Sequence, residues 1–227
     1  MKTVVIIPAF NEETRIRAAI LDAAMYADDV VVVDDCSHDE TARVAFEAGA
    51  HVLQHVLNRG QGAALQTGTD YALQTLHADI LVHFDADGQM QGADIPSLMA
   101  PIIADTADIV LGSRFLGKDA IDMPRARFLT LKAALAFTRL VSGLNISDPH
   151  CGMRALSRTF ATQARFYQDR MAHASEVHDQ IKMTKARHTS VPVSIRYTQE
   201  SLQKGMTFRG GFTVLKDYFK HRFFGAL

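Results

Sequence analysis

The chain has 227 residues, 48% of them apolar, and its 24 basic and 25 acidic side chains leave a formal net charge of −1. That length suits one α/β domain with a short appendage, and the balanced charge excludes the global basic field that would argue for nucleic acid. The two cysteines, Cys36 and Cys151, make no disulfide framework and point to a reducing compartment. MKTVVIIP is strand-like from the start and leaves no room for a signal peptide. No uncharged apolar run reaches the roughly 18 residues of a membrane span.

In chain order, TVVII (3–7) reads as a buried strand stopped by Pro8. Residues 12–25 have helical spacing, with Ile16, Ala19, Ile20 and Ala23 on one face. VVVV (30–33) is a second strand, ending in Asp34-Asp35, and Ser37 or Asp39 is placed to cap a helix that runs to Glu47. HVLQH (51–55) is a third strand, and a helix over 62–76 follows the glycines at 60 and 62. ADILVHFD (78–85) and ADIVLGS (107–113) are the fourth and fifth strands, separated by a helix capped by Asp94 with Pro96 early in it.

Strands separated by helical patterns of about 10–15 residues predict repeated βαβ units and a mostly parallel sheet with helices on both faces. The fully apolar strands agree, because such sheets are covered on both sides. Functional loops then belong at the carboxyl ends of the strands. Beyond Arg114, residues 125–142 read as an amphipathic helix and 148–158 as a turn entering a short strand. Residues 175–187 read as a helix and 191–197 as a strand. The expected organisation is a catalytic domain over 1–206 and a basic, aromatic segment over 207–227.

The chemistry-bearing residues follow the strands. Asp85 and Asp87 in HFDADGQ lie two apart after an apolar strand. Two close carboxylates repel, and a hard divalent ion relieves them by taking oxygen ligands; Gln89 adds a neutral oxygen, while a solvated strand end is the plainer alternative. Asp34 and Asp35 either accept hydrogen bonds from a nucleoside or cap the next helix. Gly60 and Gly62 let the backbone approach an anion at a helix start, or simply give a flexible entry; their spacing matches neither a dinucleotide fingerprint nor a P-loop. Arg114, at the sheet edge in GSRF, fits an anion contact. His150 and Cys151 lack the spaced partners of a zinc site.

The runs VVIIPAFNEE, VVVDDCSHDET, NRGQGAAL, HFDADGQ, GSRF and DPHCGMRAL, in this order over residues 1 to 156, resemble family 2 glycosyltransferases of the GT-A fold. Within that family the resemblance is to dolichyl- and polyprenyl-phosphate sugar synthases. It implies that Pro8, Ala9, Asn11 and Glu12 line a nucleotide site with Asp35. It further implies that Asp85, Asp87 and Gln89 hold Mg²⁺ or Mn²⁺ against a diphosphate, and that Arg114 and Arg127 bind the phosphate of a lipid acceptor. Asp148 and Arg154 would be the polar members of the acceptor side. The chain departs from the pattern at Gln61, where the family more often has lysine, and at Cys151, where serine is usual.

The implied reaction is metal-assisted, inverting transfer from GDP-mannose or a UDP-hexose to a polyprenyl or dolichyl phosphate. An anionic acceptor needs positioning and no base. A hydroxyl acceptor would call for one, for which Glu176 or Asp179 stands available, though both also read as ordinary exposed helix acids. The alternatives are a family 2 transferase acting on a sugar hydroxyl, a nucleotidyltransferase, and a non-catalytic binding module. Phe212, Leu215, Phe219 and Phe223, with basic neighbours, suit a peripheral membrane surface, packing on the domain or an oligomer contact. The expected setting is the cytoplasmic face of a membrane, reached peripherally or through a membrane partner protein.

Overall fold

The computed structural model describes residues 1–116, 147–148, 151–165 and 173–196. The helix expected over 125–142 with Arg127, His150, the 206/207 boundary and the 207–227 segment lie outside the described residues. A compact unit spans Met1–Arg196.

The first half is a run of βαβ units. Strand β1 (Thr3–Ala9), β2 (Asp29–Asp34), β3 (His51–Gln54) and β4 (Ile80–His83) are joined by helices α1 (Ile16–Ala24), α2 (Thr41–Glu47) and α3 (Gln61–Gln74). A 3₁₀ turn (Gly92–Asp94) and α4 (Ile95–Ile103) lead to β5 (Ile109–Ser113). The second half adds β6 (Arg154–Ser157), α5 (Arg158–Gln163), α6 (His173–Thr184) and β7 (His188–Pro192). The seven strands form one sheet in the order β3-β2-β1-β4-β6-β5-β7. All pairings are parallel except those of β6, which runs antiparallel between β4 and β5.

Period-two alternation in apolar strands supplies two covered faces. Val4, Ile6, Val31, Val33, Leu81, Ile109 and Leu156 form one core with Leu65 and Leu73 of α3, Phe160 of α5, and Val177 and Ile181 of α6. Val5, Ile7, Val30, Val32, Ile80, Val82 and Val110, equally buried, point to the other face, where α1 and α4 bury Ile16, Ile20, Ile95 and Leu98. Helix α3 sits very close to the sheet. A Cβ on Gly68 would stand 2.4 Å from Ile6 Cγ2, so glycine is what lets the helix approach.

Several boundaries differ from the sequence expectation, each for a local reason. Helix α1 begins at Ile16 and not at residue 12, because the Glu12 carbonyl closes a turn on the amides of Arg15 and Ile16. The strand expected at 191–197 is β7 at His188–Pro192. Its ladder follows β5 to its end at Ser113, and only the Val193 amide continues it, to the Ser113 carbonyl. The apolar alternation continues past the ladder, with Val193 and Ile195 buried in a loop. Asp94 does not cap α4 with its side chain; its Oδ2 accepts the Ser194 amide at 2.6 Å, pinning that loop.

Candidate functional site

The carboxyl ends of β1, β2 and β4 converge on a cleft of about 260 Å³, lined by Pro8, Ala9, Phe10, Glu12, Asp35, Gln61, Ala64, Asp85, Ala86 and Asp87. Sheet order brings this about, since β2, β1 and β4 are parallel neighbours whose carboxyl-end loops open on the same edge. The cleft brings together Pro8, Ala9, Glu12, Asp35, Asp85 and Asp87 of the sequence-derived set. Phe10, Gln61, Ala64 and Ala86 join them without having been assigned a role from sequence.

One wall is stitched by side chains onto backbone. Asn11, in the left-handed region at φ 55, donates its amide to Ser37 Oγ and accepts the His38 amide on Oδ1, both at 2.9 Å. The Glu12 amide donates to Thr41 Oγ1 at 2.8 Å, and its carboxylate pairs with Arg15 at 2.6 Å. Asn11 thus shapes the loop between β2 and α2. The N-cap of α2 is Glu40, with no side-chain cap, and not Ser37 or Asp39 as expected; Asp39, one residue earlier, accepts the Thr41 amide at 3.0 Å.

Asp34 and Asp35 are both buried, and both are turned toward the protein. Asp34 accepts the Ser37 amide and the Gln54 side chain. Asp35 accepts His55 Nδ1 at 2.7 Å, the Arg59 amide at 2.9 Å and the Gly60 amide at 2.6 Å. His55 Nε2 in turn meets Thr67 Oγ1 of α3 at 2.9 Å. Asp35 therefore touches the cleft and also sets the glycine loop, with Gly60 at φ 89 beneath it. His55 was missed from sequence, and its only mark was a polar residue closing an apolar strand.

The second acid pair is built differently. Asp85 lies two residues past β4, and among the described residues its Oδ1 accepts one side-chain donor, Gln61 Nε2, at 2.9 Å. Burial first, and the neighbouring Asp87 second, push the Asp85 carboxyl up to about 7, against weaker opposing pulls from Arg154, Gln61 and Arg114. Asp87 Oδ1 accepts the Gln89 amide at 3.0 Å, across Gly88 at φ 74. Gln89 is engaged through its backbone, its carbonyl also accepting the Arg196 amide at 2.9 Å.

Below the pair, Arg154 is buried on β6, donates Nε to the Gly152 carbonyl at 3.1 Å and favours the ionised form of Asp85. Burial lowers its own pKa. The sequence reading gave Arg154 to the acceptor side, and the structure also brings it within electrostatic reach of Asp85. Antiparallel β6, pairing Arg154 with His83, is responsible, and that pairing has no local sequence signature.

Arg114, after β5, forks onto Asp148: Nε to Oδ2 at 2.6 Å and Nη2 to Oδ1 at 2.8 Å, with the Arg114 amide also on Oδ2 at 3.1 Å. Two of the residues assigned to the acceptor, Arg114 and Asp148, thus form one bidentate pair. Cys151 is pushed up to about 12 by burial and by Asp148, so it is a neutral thiol and no nucleophile at neutral pH. Glu176 is buried in α6, unlike the exposed helix acid expected, whereas Asp179 is exposed.

The donor set fits a hard divalent ion. Among the described residues no three His, Cys, Asp or Glu side chains cluster to hold an ion by themselves. Two carboxylates on one cleft suit Mg²⁺ or Mn²⁺, which completes its shell with water and substrate phosphate.

The mostly parallel seven-stranded sheet matches the GT-A glycosyltransferase fold of solved structures. A solved structure with this fold is glucosyl-3-phosphoglycerate synthase from Mycobacterium tuberculosis, in complex with Mn²⁺, UDP and phosphoglyceric acid. It matches with a TM-score of 0.66 and 22% identity over 95% of this chain and 78% of that one. Residues 4–163 match the Glycosyl transferase family 2 domain, and the chain belongs to that family. Its relatives include the UDP-N-acetylglucosamine--dolichyl-phosphate N-acetylglucosaminyltransferase of Methanococcus voltae, 30% identical over 92% of this chain and 91% of that protein. Another is the undecaprenyl-phosphate mannosyltransferase of Micrococcus luteus, 34% identical over 68% of this chain and 66% of that protein.

Proposed function

We propose that this glycosyltransferase is metal-dependent and inverting, and moves a hexosyl group from GDP-mannose or a UDP-hexose to a polyprenyl or dolichyl phosphate. The observation that carries the reading is the Asp85–Asp87 pair: two acids on one cleft, one of them raised to about 7 by burial first and by the other acid second. Relatives named for lipid-phosphate acceptors support the acceptor class.

In this reading Pro8, Ala9, Glu12 and Asp35 flank the nucleoside, while Asp85 and Asp87, with Gln89 as a third oxygen, would hold Mg²⁺ or Mn²⁺. When bound, the ion supplies charge neutralisation of the departing diphosphate. An acceptor phosphate oxygen attacks the anomeric carbon from the face opposite the donor. The bond from that carbon to the diphosphate oxygen breaks, and the nucleoside diphosphate leaves with the electron pair. The attacking oxygen is already anionic, so orientation replaces deprotonation. Arg114, its plane fixed by Asp148, is the proposed guide for the acceptor phosphate, and Arg127 is proposed for the same role.

Among the described residues no helix is long and apolar enough to cross a membrane. The proposed setting is peripheral, at a cytoplasmic membrane face.

The test is a transfer assay with a panel of GDP- and UDP-sugars, Mn²⁺ and a short polyprenyl phosphate. The expected product is a sugar phosphate-linked to the lipid with inverted anomeric configuration. Transfer to a sugar hydroxyl and to no lipid phosphate would overturn the acceptor assignment and turn attention to buried Glu176 as a base.

A further inference from the structure

The acid pair is approached from across the cleft by the residue that opens α3. Gln61 Nε2 donates to Asp85 Oδ1 at 2.9 Å. Its backbone is held in place from below. Gly60, at φ 89, takes a conformation that glycine adopts without steric cost. The amides of Arg59 and Gly60 both end on the Asp35 carboxylate, and the Asn58 side chain donates to the Asp35 carbonyl at 3.1 Å. His55 braces Asp35 against Thr67, which belongs to the same helix as Gln61.

Opposite Gln61, Gly152 presents bare backbone to the same carboxylate. A Cβ there would lie 2.7 Å from Asp85 Oδ2 and 3.1 Å from Oδ1. Asp85 is thus held between an amide donor and a surface with no side chain. An amide satisfies one oxygen lone pair and fixes the carboxylate plane, but it contributes no positive charge. An ammonium of similar reach in the same place would form an ion pair with Asp85 and compete with any cation for it.

We propose that Gln61 is a positioning residue for the metal acids. It orients Asp85 by a neutral hydrogen bond, so that the negative charge of Asp85 and Asp87 is left for a divalent cation. The inference rests on the metal–diphosphate reading of this cleft. Partners that orient a ligating carboxylate are typically worth about 10- to 100-fold in metal affinity.

The test is Mn²⁺ binding by the full chain, with and without UDP or GDP. Calorimetry and loss of the free-ion paramagnetic resonance signal provide the readout. Gln61→Met keeps the length and removes the donor; Gln61→Lys keeps the length and adds a charge. Gln61→Met is expected to weaken Mn²⁺ about tenfold, and Gln61→Lys more than that, with unfolding midpoints near wild type. A residue that merely started the helix would shift the midpoint and leave Mn²⁺ affinity alone. Wild-type affinity in both variants, or in Gln61→Met alone should the lysine variant not fold, overturns the role of Gln61. Absence of Mn²⁺ binding by the wild type, with nucleotide present, overturns the metal reading itself and this inference with it.

Discussion

The ends of β2 and β4 each carry two aspartates, yet the protein treats the two pairs in opposite ways. At β2, Asp34 and Asp35 are met by backbone amides, by Gln54 and by His55. At β4, Asp85 accepts the Gln61 side-chain amide and is raised by burial first and by its neighbour Asp87 second, while Asp87 Oδ1 accepts the Gln89 amide. Carboxylates met by amides are stabilised as anions and shape the loops around them. At the end of β4 two carboxylates share one cleft, where a divalent ion could neutralise them. The first pair shapes the loops around the cleft, and the second is the pair we propose to hold the divalent ion.

The sharpest way to break that contrast is to remove one acid from each end. Asp87→Ala should lower transfer by about 10²–10³-fold or more, with little change in unfolding midpoint, because an electrostatic contribution to the departing diphosphate is lost while little packing is. Steady-state assays with thermal melts check both halves. Asp35→Ala should do the reverse in emphasis. It strips the acceptor from two backbone amides and from His55, and should cost on the order of 2–4 kcal/mol in chemical denaturation. Comparable stability loss at both ends would erase the distinction.

A smaller effect follows from pH. Asp85 titrates at about 7 in the folded protein against an ordinary value of 3.8. Between those values the folded state keeps a proton that the unfolded chain has released, so stability falls as pH rises. The loss runs from about pH 4 to about pH 7 and amounts to no more than about 4 kcal/mol. Asp85→Asn removes that slope. Relative to wild type it should gain stability between about pH 5 and about pH 8 in the absence of divalent ions, as read from denaturant midpoints. Parallel pH profiles would show that the β4 pair carries no excess charge.

Much of this layout was legible in the sequence. The apolar runs gave β1, β2, β4 and β5, and the face Ile16, Ala19, Ile20 and Ala23 is the buried face of α1. The rule that loops at carboxyl ends carry function brought Asp35, Asp85 and Asp87 to one cleft. What was not legible depends on contacts between distant segments. The direction of β6, and with it the place of Arg154, comes from pairing with β4 and β5. The fork of Arg114 on Asp148 and the hold of Asp94 on Ser194 likewise join residues far apart in the chain. Gln61 stood out in the sequence only as a departure from a pattern. Its contact with Asp85 depends on α3 packing beside β4.

The most direct measurement is calorimetric titration of UDP and GDP into the wild-type protein and Asp87→Ala, each with and without Mn²⁺. The account predicts that Mn²⁺ tightens binding of one nucleotide at least about tenfold, or about 1.4 kcal/mol, in the wild type and not in the variant. Nucleotide binding indifferent to Mn²⁺, or tightened equally in both proteins, would contradict it.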